Sequence, residues 1–409
     1  GYTTFIIEIL MKELRIPQYL DGRTGDKTLS KAVNRALLLN VLRKRGASSR
    51  ASLAKMSGLH KVTVSSQIAE LIELGIVKET GTGESELGRK PIMLEIAGES
   101  GYALGISIST AGLVVVAMDL AGRTDYREFI PLEAHSPETV LEAILSIIRK
   151  AKRRYRKSKF GLFGVGIAVP GAIDRATGRV AFSAKLEWKN VPFRENLSKH
   201  FGGILHIGND ATLATIAEHE LCAPESDDFV CLLIDEGIGS GAFINGAIHY
   251  GHNGQFGEVG HMTIVHNGLQ CPCGNTGCWD LYGSELALRQ ALGIARGGDI
   301  PNTEELVALA ASPPAWSQEA FSNFIGYLIT GIVSIMNAMS PSTLVVNSNV
   351  LSASPAMFET LRAGVTARAL AHTGICEIRL SSLAKDAPAI GAAMAAIEGF
   401  YEELVVKND

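Results

Sequence analysis

An α/β chain with a winged helix-turn-helix ahead of two α/β lobes is the architecture predicted here, and three features of the sequence predict it. Residues 27–95 carry 12 Lys+Arg against 6 Asp+Glu, a surplus of six positive charges, whereas the 409-residue chain totals −4 and so leaves −10 on the remainder. Within that basic segment, capping residues and glycines separate three helical patterns from a glycine-rich hairpin. The acidic remainder then runs through a strand-strand-strand-helix-strand order that recurs loosely further on. A compact basic segment joined to an acidic body predicts a reader of a polyanion attached to a domain with another task.

The segments follow in order. Residues 1–27 form an N-terminal arm, in which Pro17, Gly22 and Gly25 break any long helix; its apolar start, GYTTFIIEILM, has no basic flank and no small-residue cleavage site, so a signal peptide is not expected. Residues 28–97 form the winged helix-turn-helix. Ser30–Lys44 places Val33, Leu37, Leu38, Val41 and Leu42 on one helical face. Ser49 is the N-cap of a second helix, Arg50–Met56, which Gly58 ends. A third helix from Lys61 to Leu74 turns Val64, Ile68, Leu71 and Ile72 inward. Its N-terminal end and opposite face offer His60, Lys61, Thr63, Ser65, Ser66 and Gln67, polar groups suited to base edges and phosphates. After Gly75 and a strand Ile76–Glu79, Gly81–Lys90 forms a wing with Arg89 and Lys90 at its base. Ser49, Arg50, the polar set of the third helix, Arg89 and Lys90 are the candidate DNA contacts. A docking module with a solvated basic face is the alternative, and the short polar residues that open the third helix favour DNA.

Residues 98–220 are read as a first lobe, closed by a C-terminal helix at 387–405. Its strands are Tyr102–Ser107, Leu113–Asp119, Arg127–Leu132 and Gly164–Val169, with the amphipathic helix Pro137–Lys152 before the last and Ile204–Ile207 after it. Residues 221–386 are a second lobe, with strands Phe229–Asp235, Gly241–Ile244 and Thr343–Asn347 and a long helix Asn323–Met339. No run reaches the 18 or more apolar residues of a membrane span, and no membrane partner is expected.

Three of the six cysteines, Cys271, Cys273 and Cys278, fall within eight residues of one another, ten residues after His261. Three thiolates and an imidazole suit the tetrahedral preference of Zn²⁺, and the intervening glycines let the chain wrap around one centre. Unrelated buried thiols are the alternative, which this clustering disfavours. A structural zinc site is the expectation. Cysteines used for metal, with Cys222, Cys231 and Cys376 scattered, fit a reducing cytoplasm.

The run Gly257-Glu258-Val259-Gly260-His261 followed by CPCGNTGCWD resembles the signature of the ROK family of repressors, open reading frames and sugar kinases, and the resemblance extends from about residue 28 onward. Trp279 in the cysteine box and the N-terminal extension resemble the xylose-repressor branch of that family. The resemblance implies an actin-like ATPase (ribonuclease H-like) body whose two lobes flank a cleft. It implies a sugar site of Asn209, Asp210, Glu258, His261 and Asp280 with Gly171 beside them, where Asp280 replaces a longer Glu. A helix N-cap is the other reading of Asn209 and Asp210.

Kinases of the family carry an Asp-x-Gly-Gly-Thr turn, whose glycines admit phosphates and whose Asp helps hold Mg²⁺. Here Ser107 stands at the Asp, Ser109 and Thr110 replace the glycines, and Glu236 puts a carboxylate in the second glycine loop, Asp235–Gly241. No catalytic residue is therefore expected. The function implied is a sugar-responsive repressor that binds a palindromic operator as a homodimer or larger homo-oligomer. Xylose or a related aldose or oligosaccharide releases it. The alternative is an ATP-dependent sugar kinase with an accessory DNA-binding domain.

Overall fold

The computed structural model describes residues 27–82, 90–300, 302–370 and 376–406. The arm, Arg89 and most of the expected wing lie outside the described residues.

The N-terminal elements are α1 (Lys27–Arg45), β1 (Ser48–Ser49), α2 (Arg50–Ser57), α3 (Lys61–Glu73), β2 (Val77–Thr82) and β3 (Ile92–Ile96). The Ser49 hydroxyl accepts from the Ser52 amide at 3.1 Å and starts α2, and Gly58, at φ +71°, ends it. Strands β2 and β3 pair antiparallel, and β1 adds to the other edge of β3, giving the order β1-β3-β2. Leu38, Leu42, Leu53, Val64, Ile68, Leu71 and Leu94 pack between the helices and this sheet. Helix α1 buries more than the single face expected: Arg35 and Leu39 are buried besides Leu38 and Leu42. The reason is tertiary, because α1 lies between the other two helices and the last helix of the chain.

The first lobe holds β4 (Gly101–Ser109), β5 (Gly112–Asp119), β6 (Thr124–Pro131), α4 (Pro137–Arg154) and β7 (Gly161–Val169). A small antiparallel sheet follows, β8 (Ala172–Asp174), β9 (Arg179–Ser183) and β10 (Trp188–Val191), then α5 (Phe193–Ser198), β11 (Ile204–Asn209) and α6 (Asp210–Cys222). The main sheet is ordered β11-β7-β4-β5-β6, with β4, β7 and β11 parallel and β5 and β6 antiparallel.

The second lobe starts with β12 (Phe229–Ile234), β13 (Ile238–Ile244) and β14 (Ala247–His249). After the cysteine loop come α7 (Asp280–Gly283), α8 (Glu285–Arg296), α9 (Thr303–Ala311), α10 (Gln318–Met339), β15 (Thr343–Ser348), α11 (Asn349–Ala353), α12 (Pro355–Arg368) and β16 (Glu377–Leu380). Its sheet, β14-β13-β12-β15-β16, repeats the plan of the first: an antiparallel meander of three strands with two parallel strands added beyond the first strand. Among the described residues, Ala315–Met339 is the one helical stretch long and apolar enough to cross a membrane, at mean hydropathy 1.3. Phe321, Phe324, Leu328, Ile332 and Ile335 of this helix lie in the second-lobe core, which accounts for its composition.

The final helix, α13 (Ala387–Val406), returns to the first sheet. Side chains at Gly105 or Gly166 would drive a Cβ to 1.8 Å from the Ala389 or Ala392 carbonyl oxygen, so these glycines are what let α13 lie on β4 and β7. One buried cluster runs from Leu38 and Ile68 through Met118 and Phe163 to Ile397 and Tyr401. The N-terminal helices and the first lobe therefore share a core.

Candidate functional site

The cysteine loop folds around short-range bonds. The Cys271 amide donates to the Asn275 carbonyl (2.8 Å), the Gly274 amide to the Cys271 carbonyl (3.0 Å), and the Asn275 side chain to the His261 carbonyl (3.1 Å). Gly277 takes φ +70° with the Val265 carbonyl where a Cβ would sit, so no other residue fits there. The ligand atoms of His261, Cys271, Cys273 and Cys278 all lie within 4.8 Å of one another and could hold a metal ion. Cys271 Sγ is 3.8 Å from His261 Nδ1, and the Cys273 and Cys278 sulfurs are 3.7 Å apart. The loop is pinned from beneath by Trp279. Its amide donates to the Met262 carbonyl at 2.9 Å, and its ring is fully buried against Gly331 of α10.

Trp279 thereby holds Cys278 on one side and Asp280 on the other. Asp280 Oδ1 accepts from the Ile238 amide at 2.6 Å. Across the cleft, Asn209 caps α6: its Oδ1 accepts from the Thr212 amide (3.0 Å) and its Nδ2 donates to the Gly171 carbonyl (3.0 Å). The capping role is thus what the Asn209 side chain performs here, and Asp210, with Oδ1 on the Ala211 amide at 2.9 Å, is the freer acceptor of the two. Burial pushes the carboxyls of Asp210, Glu258 and Asp280 above their usual range; Lys185 opposes this at Asp210, His261 at Glu258 and the Ile238 amide at Asp280. Glu258 is close enough to Asp210, His261 and Asp280 for their charges to interact, so residues from both lobes face one cleft.

Lys185, between β9 and β10, enters the same cleft and was not singled out in the sequence. A lone lysine in Ser-Ala-Lys-Leu-Glu-Trp has no spacing that marks it. Asp210, Asp235, Glu236 and Asp280 surround its ammonium.

On the N-terminal domain, His60, Lys61, Ser65 and Ser66 are exposed and Thr63 is half-buried. Gln67 requires a correction: it is 5% exposed and faces the core, not solvent. Positions 64, 67, 68 and 71 share one helical stripe, so the spacing buries Gln67 despite its polarity. Ser49 is also buried, its hydroxyl committed to the cap and to Ser52. Arg50 pairs with Glu79 at 3.1 Å, and Lys90 is exposed. Val62, 82% exposed between Lys61 and Thr63, was passed over because it is apolar; a methyl-bearing side chain there suits contact with a thymine methyl.

Residues 103–398 match the model of the ROK family. The chain belongs to the ROK family. It is 33% identical over 380 residues to a xylose repressor of Bacillus spizizenii, over 92% of this chain and 98% of that protein. In fold it is similar to a ROK family transcriptional regulator, described as a homologue of the E. coli MLC protein, with TM-score 0.78 and 22% identity over 93% of this chain and 98% of that one. It is also similar to a ROK hexokinase from Thermus thermophilus, with TM-score 0.61 and 25% identity over 75% of this chain and all of that one.

In this ROK protein the β4–β5 turn and the second glycine loop meet. Thr110 Oγ1, in the β4–β5 turn, donates to Glu236 Oε1 at 2.5 Å. His135 Nε2 lies on the Thr110 carbonyl oxygen, and the Trp188 indole donates to the His135 carbonyl at 2.6 Å, which stiffens the turn. Ser109 Oγ is spent on the Gly112 carbonyl at 3.0 Å. Ser109, Thr110 and Glu236 therefore bond to one another or to their own turn, and Asp280 takes up the Ile238 amide of the second loop.

Proposed function

We propose that this ROK protein is a sugar-responsive transcriptional repressor and not an enzyme. In this reading α3 and the segment around Lys90 hold a palindromic operator, a homodimer supplies the two half-sites, and a sugar in the interlobe cleft releases the complex. The observation that carries it is the position of α13. At its C-terminal end it is tied to α1, the first helix of the DNA-binding domain, through Arg43 to Glu398 (2.7 Å) and Arg35 to the Leu404 carbonyl (3.1 Å). Nearer its start it packs on α6, so closely that a Cβ at Gly391 would stand 1.8 Å from the Leu213 carbonyl oxygen. Helix α6 begins at Asn209-Asp210. A sugar that changes how the lobes close on Asp210 thus shifts the helix on which the DNA-binding domain is seated, and a differential affinity of about 1–3 kcal/mol is enough for such coupling.

The likeness to a xylose repressor makes a free aldopentose, xylose first, the leading effector. The metal is read as zinc in a structural role: with Zn–S bonds of about 2.3 Å, tetrahedral geometry sets neighbouring sulfurs roughly 3.8 Å apart, against 3.7 Å for Cys273 and Cys278. His261 Nδ1 would ligate, leaving Nε2 for the sugar. The cytoplasm is the compartment that suits both the thiolates and the operator.

The kinase alternative is disfavoured because Ser107 stands where the Mg²⁺-directed Asp of the kinases would be, and Thr110 and Glu236, bonded to each other, crowd and charge the turn that nucleotide phosphates require. Operator release followed by fluorescence anisotropy tests the reading. D-xylose is expected to release wild type, and Asp210→Asn is expected to stay bound at sugar concentrations that release it. Affinity is expected to fall steeply with salt, since Lys61 and Lys90 displace counterions. ATP turnover in the kinase range of about 1–100 s⁻¹ with Mg²⁺ and sugar would overturn it.

A further inference from the structure

Donors and acceptors in the cleft do not balance. Asp210, Glu258 and Asp280, when ionised, only accept hydrogen bonds, whereas each sugar hydroxyl both donates and accepts. Asn209 has spent its oxygen on the α6 cap and one N–H on the Gly171 carbonyl. His261 turns Nδ1 toward Cys271 and has one ring nitrogen left. Carboxylates alone would satisfy the protons of a polyol and leave its lone pairs without partners, and a buried polar group so stranded weakens binding.

Lys185 is the group that can redress this. It comes from the first lobe and reaches residues of the second. Its ammonium carries three N–H donors, and among the described residues it makes no hydrogen bond and no ion pair. Burial works against its charge, yet Asp210, Asp235, Glu236 and Asp280 together hold it above its ordinary range, so it enters the cleft as a full cation. Its Cε and Nζ lie 3.2 Å and 3.5 Å, and Asp280 Oδ2 3.4 Å, from the point that a Cβ on Gly237 would occupy, so both side chains close in on this glycine. Donor and acceptor therefore approach the same glycine, one from each lobe, without forming an ion pair with each other.

We propose that Lys185 is an effector-contacting, specificity-determining residue, donating to a sugar hydroxyl that in turn donates to Asp280, so that the bound sugar links the two lobes. The carboxylates outnumber this single cation, so the ligand class is an uncharged aldose; a sugar phosphate would meet net repulsion. This inference rests on the sugar-responsive reading of the same cleft.

The test is calorimetric titration of the full-length protein with D-xylose, D-glucose and glucose 6-phosphate, on wild type, Lys185→Met and Lys185→Gln. Methionine keeps the stem without donors, and glutamine keeps donors without charge. For the free sugar that wild type takes best, Lys185→Met is expected to weaken binding about tenfold or more, and Lys185→Gln by less, as loss of a charge-assisted donor predicts. Glucose 6-phosphate is expected to bind wild type more weakly than glucose. Operator binding without sugar reports that each variant is folded, and if the methionine variant does not fold the glutamine variant decides alone. Affinities of the folded variants within about twofold of wild type, a difference too small for a lost charged hydrogen bond, would overturn the assignment while leaving the sensor reading intact. Failure of wild type to bind any free sugar would overturn both.

Discussion

The sheet of β4–β7 with β11 and the sheet of β12–β16 have the same strand order and the same mix of parallel and antiparallel pairs, and they are covered differently. On the first lies α13, and through it the helix-turn-helix joins one continuous core from Leu38 to Tyr401. The second is covered by α10 and α12, with α6 against its β12 and β13, and Trp279 anchors the cysteine loop in that core. No residue of one of these buried clusters belongs to the other. A duplicated plan has thus been divided by what packs on it: the first lobe is built to carry DNA binding, the second to carry the cysteine loop and most of the cleft's acceptors. The lobes meet where Thr110 reaches Glu236 and where Lys185 faces Asp280.

Removing the metal is the largest disturbance that should respect this division. In Cys273→Ser, or after chelation, the loop from Gly257 to Asp280 loses its brace. Second-lobe stability and sugar affinity are expected to fall together, the latter by about tenfold or more, since supporting groups of a metal site commonly carry 10–100-fold effects. Operator binding without sugar should persist, because the first-lobe core contains none of the loop. Metal analysis with parallel sugar and operator titrations checks both halves; full sugar affinity in metal-free protein would show that the loop braces nothing.

A core truncation on the other side should not stay local. Leu42 is 1% exposed in α1, and Leu42→Ala is expected to cost about 2–5 kcal/mol. The core is shared, so the helix-turn-helix and the first lobe should melt in one transition at a lower temperature. Calorimetry showing a separate early transition for the N-terminal helices would contradict the shared core.

A smaller effect is expected from Arg43→Ala, which removes the Glu398 pair and the guanidinium stacked 4.7 Å from the Tyr401 ring. Stability should change by less than about 1 kcal/mol. The sugar concentration that releases the operator should move several-fold, in line with couplings of about 0.5–2 kcal/mol at residues that touch neither ligand. An unmoved midpoint in operator-release titrations would remove α13 from the route.

Local signals in the sequence explain why some of this was legible. The Ser49 cap, the Gly58 and Gly75 stops and the cysteine spacing each act within a few residues, and each stands where it was expected. What was not legible depends on distant parts of the chain. Arg35 bonds a carbonyl 369 residues away, which no helical period can announce, and the strand order of both sheets is set by crossovers. Gln67 was misread because polarity outweighed its place on the apolar stripe. Lys185 was missed because its partners, Asp235 and Asp280, lie far along the sequence.

The two lobes also hold opposed titrating groups, and here the expected effect in wild type is smallest because they offset. In the second lobe, burial and Asp235 push the Glu285 carboxyl up to about 7, although Ser348, Asn349 and Val350 all donate to it. The folded state then keeps a proton that the unfolded chain releases near the ordinary 4.5, so this stabilising contribution is present at low pH and lost as pH rises toward 7. In the first lobe, burial beside Arg175 and Arg194 pushes His206 down from 6.5 to about 4. Its contribution has the other sign: present above pH 6.5 and lost as pH falls toward 4. Each window is worth about 3 kcal/mol at most, and between pH 4.5 and 6.5 the slopes cancel. Wild type should therefore show little pH dependence of stability from this pair. Relative to wild type, Glu285→Gln should unmask the histidine and give a melting temperature that climbs more from pH 4.5 to 6.5, whereas His206→Asn should give one that declines more. Parallel profiles for wild type and both variants would mean that neither group titrates as its surroundings require.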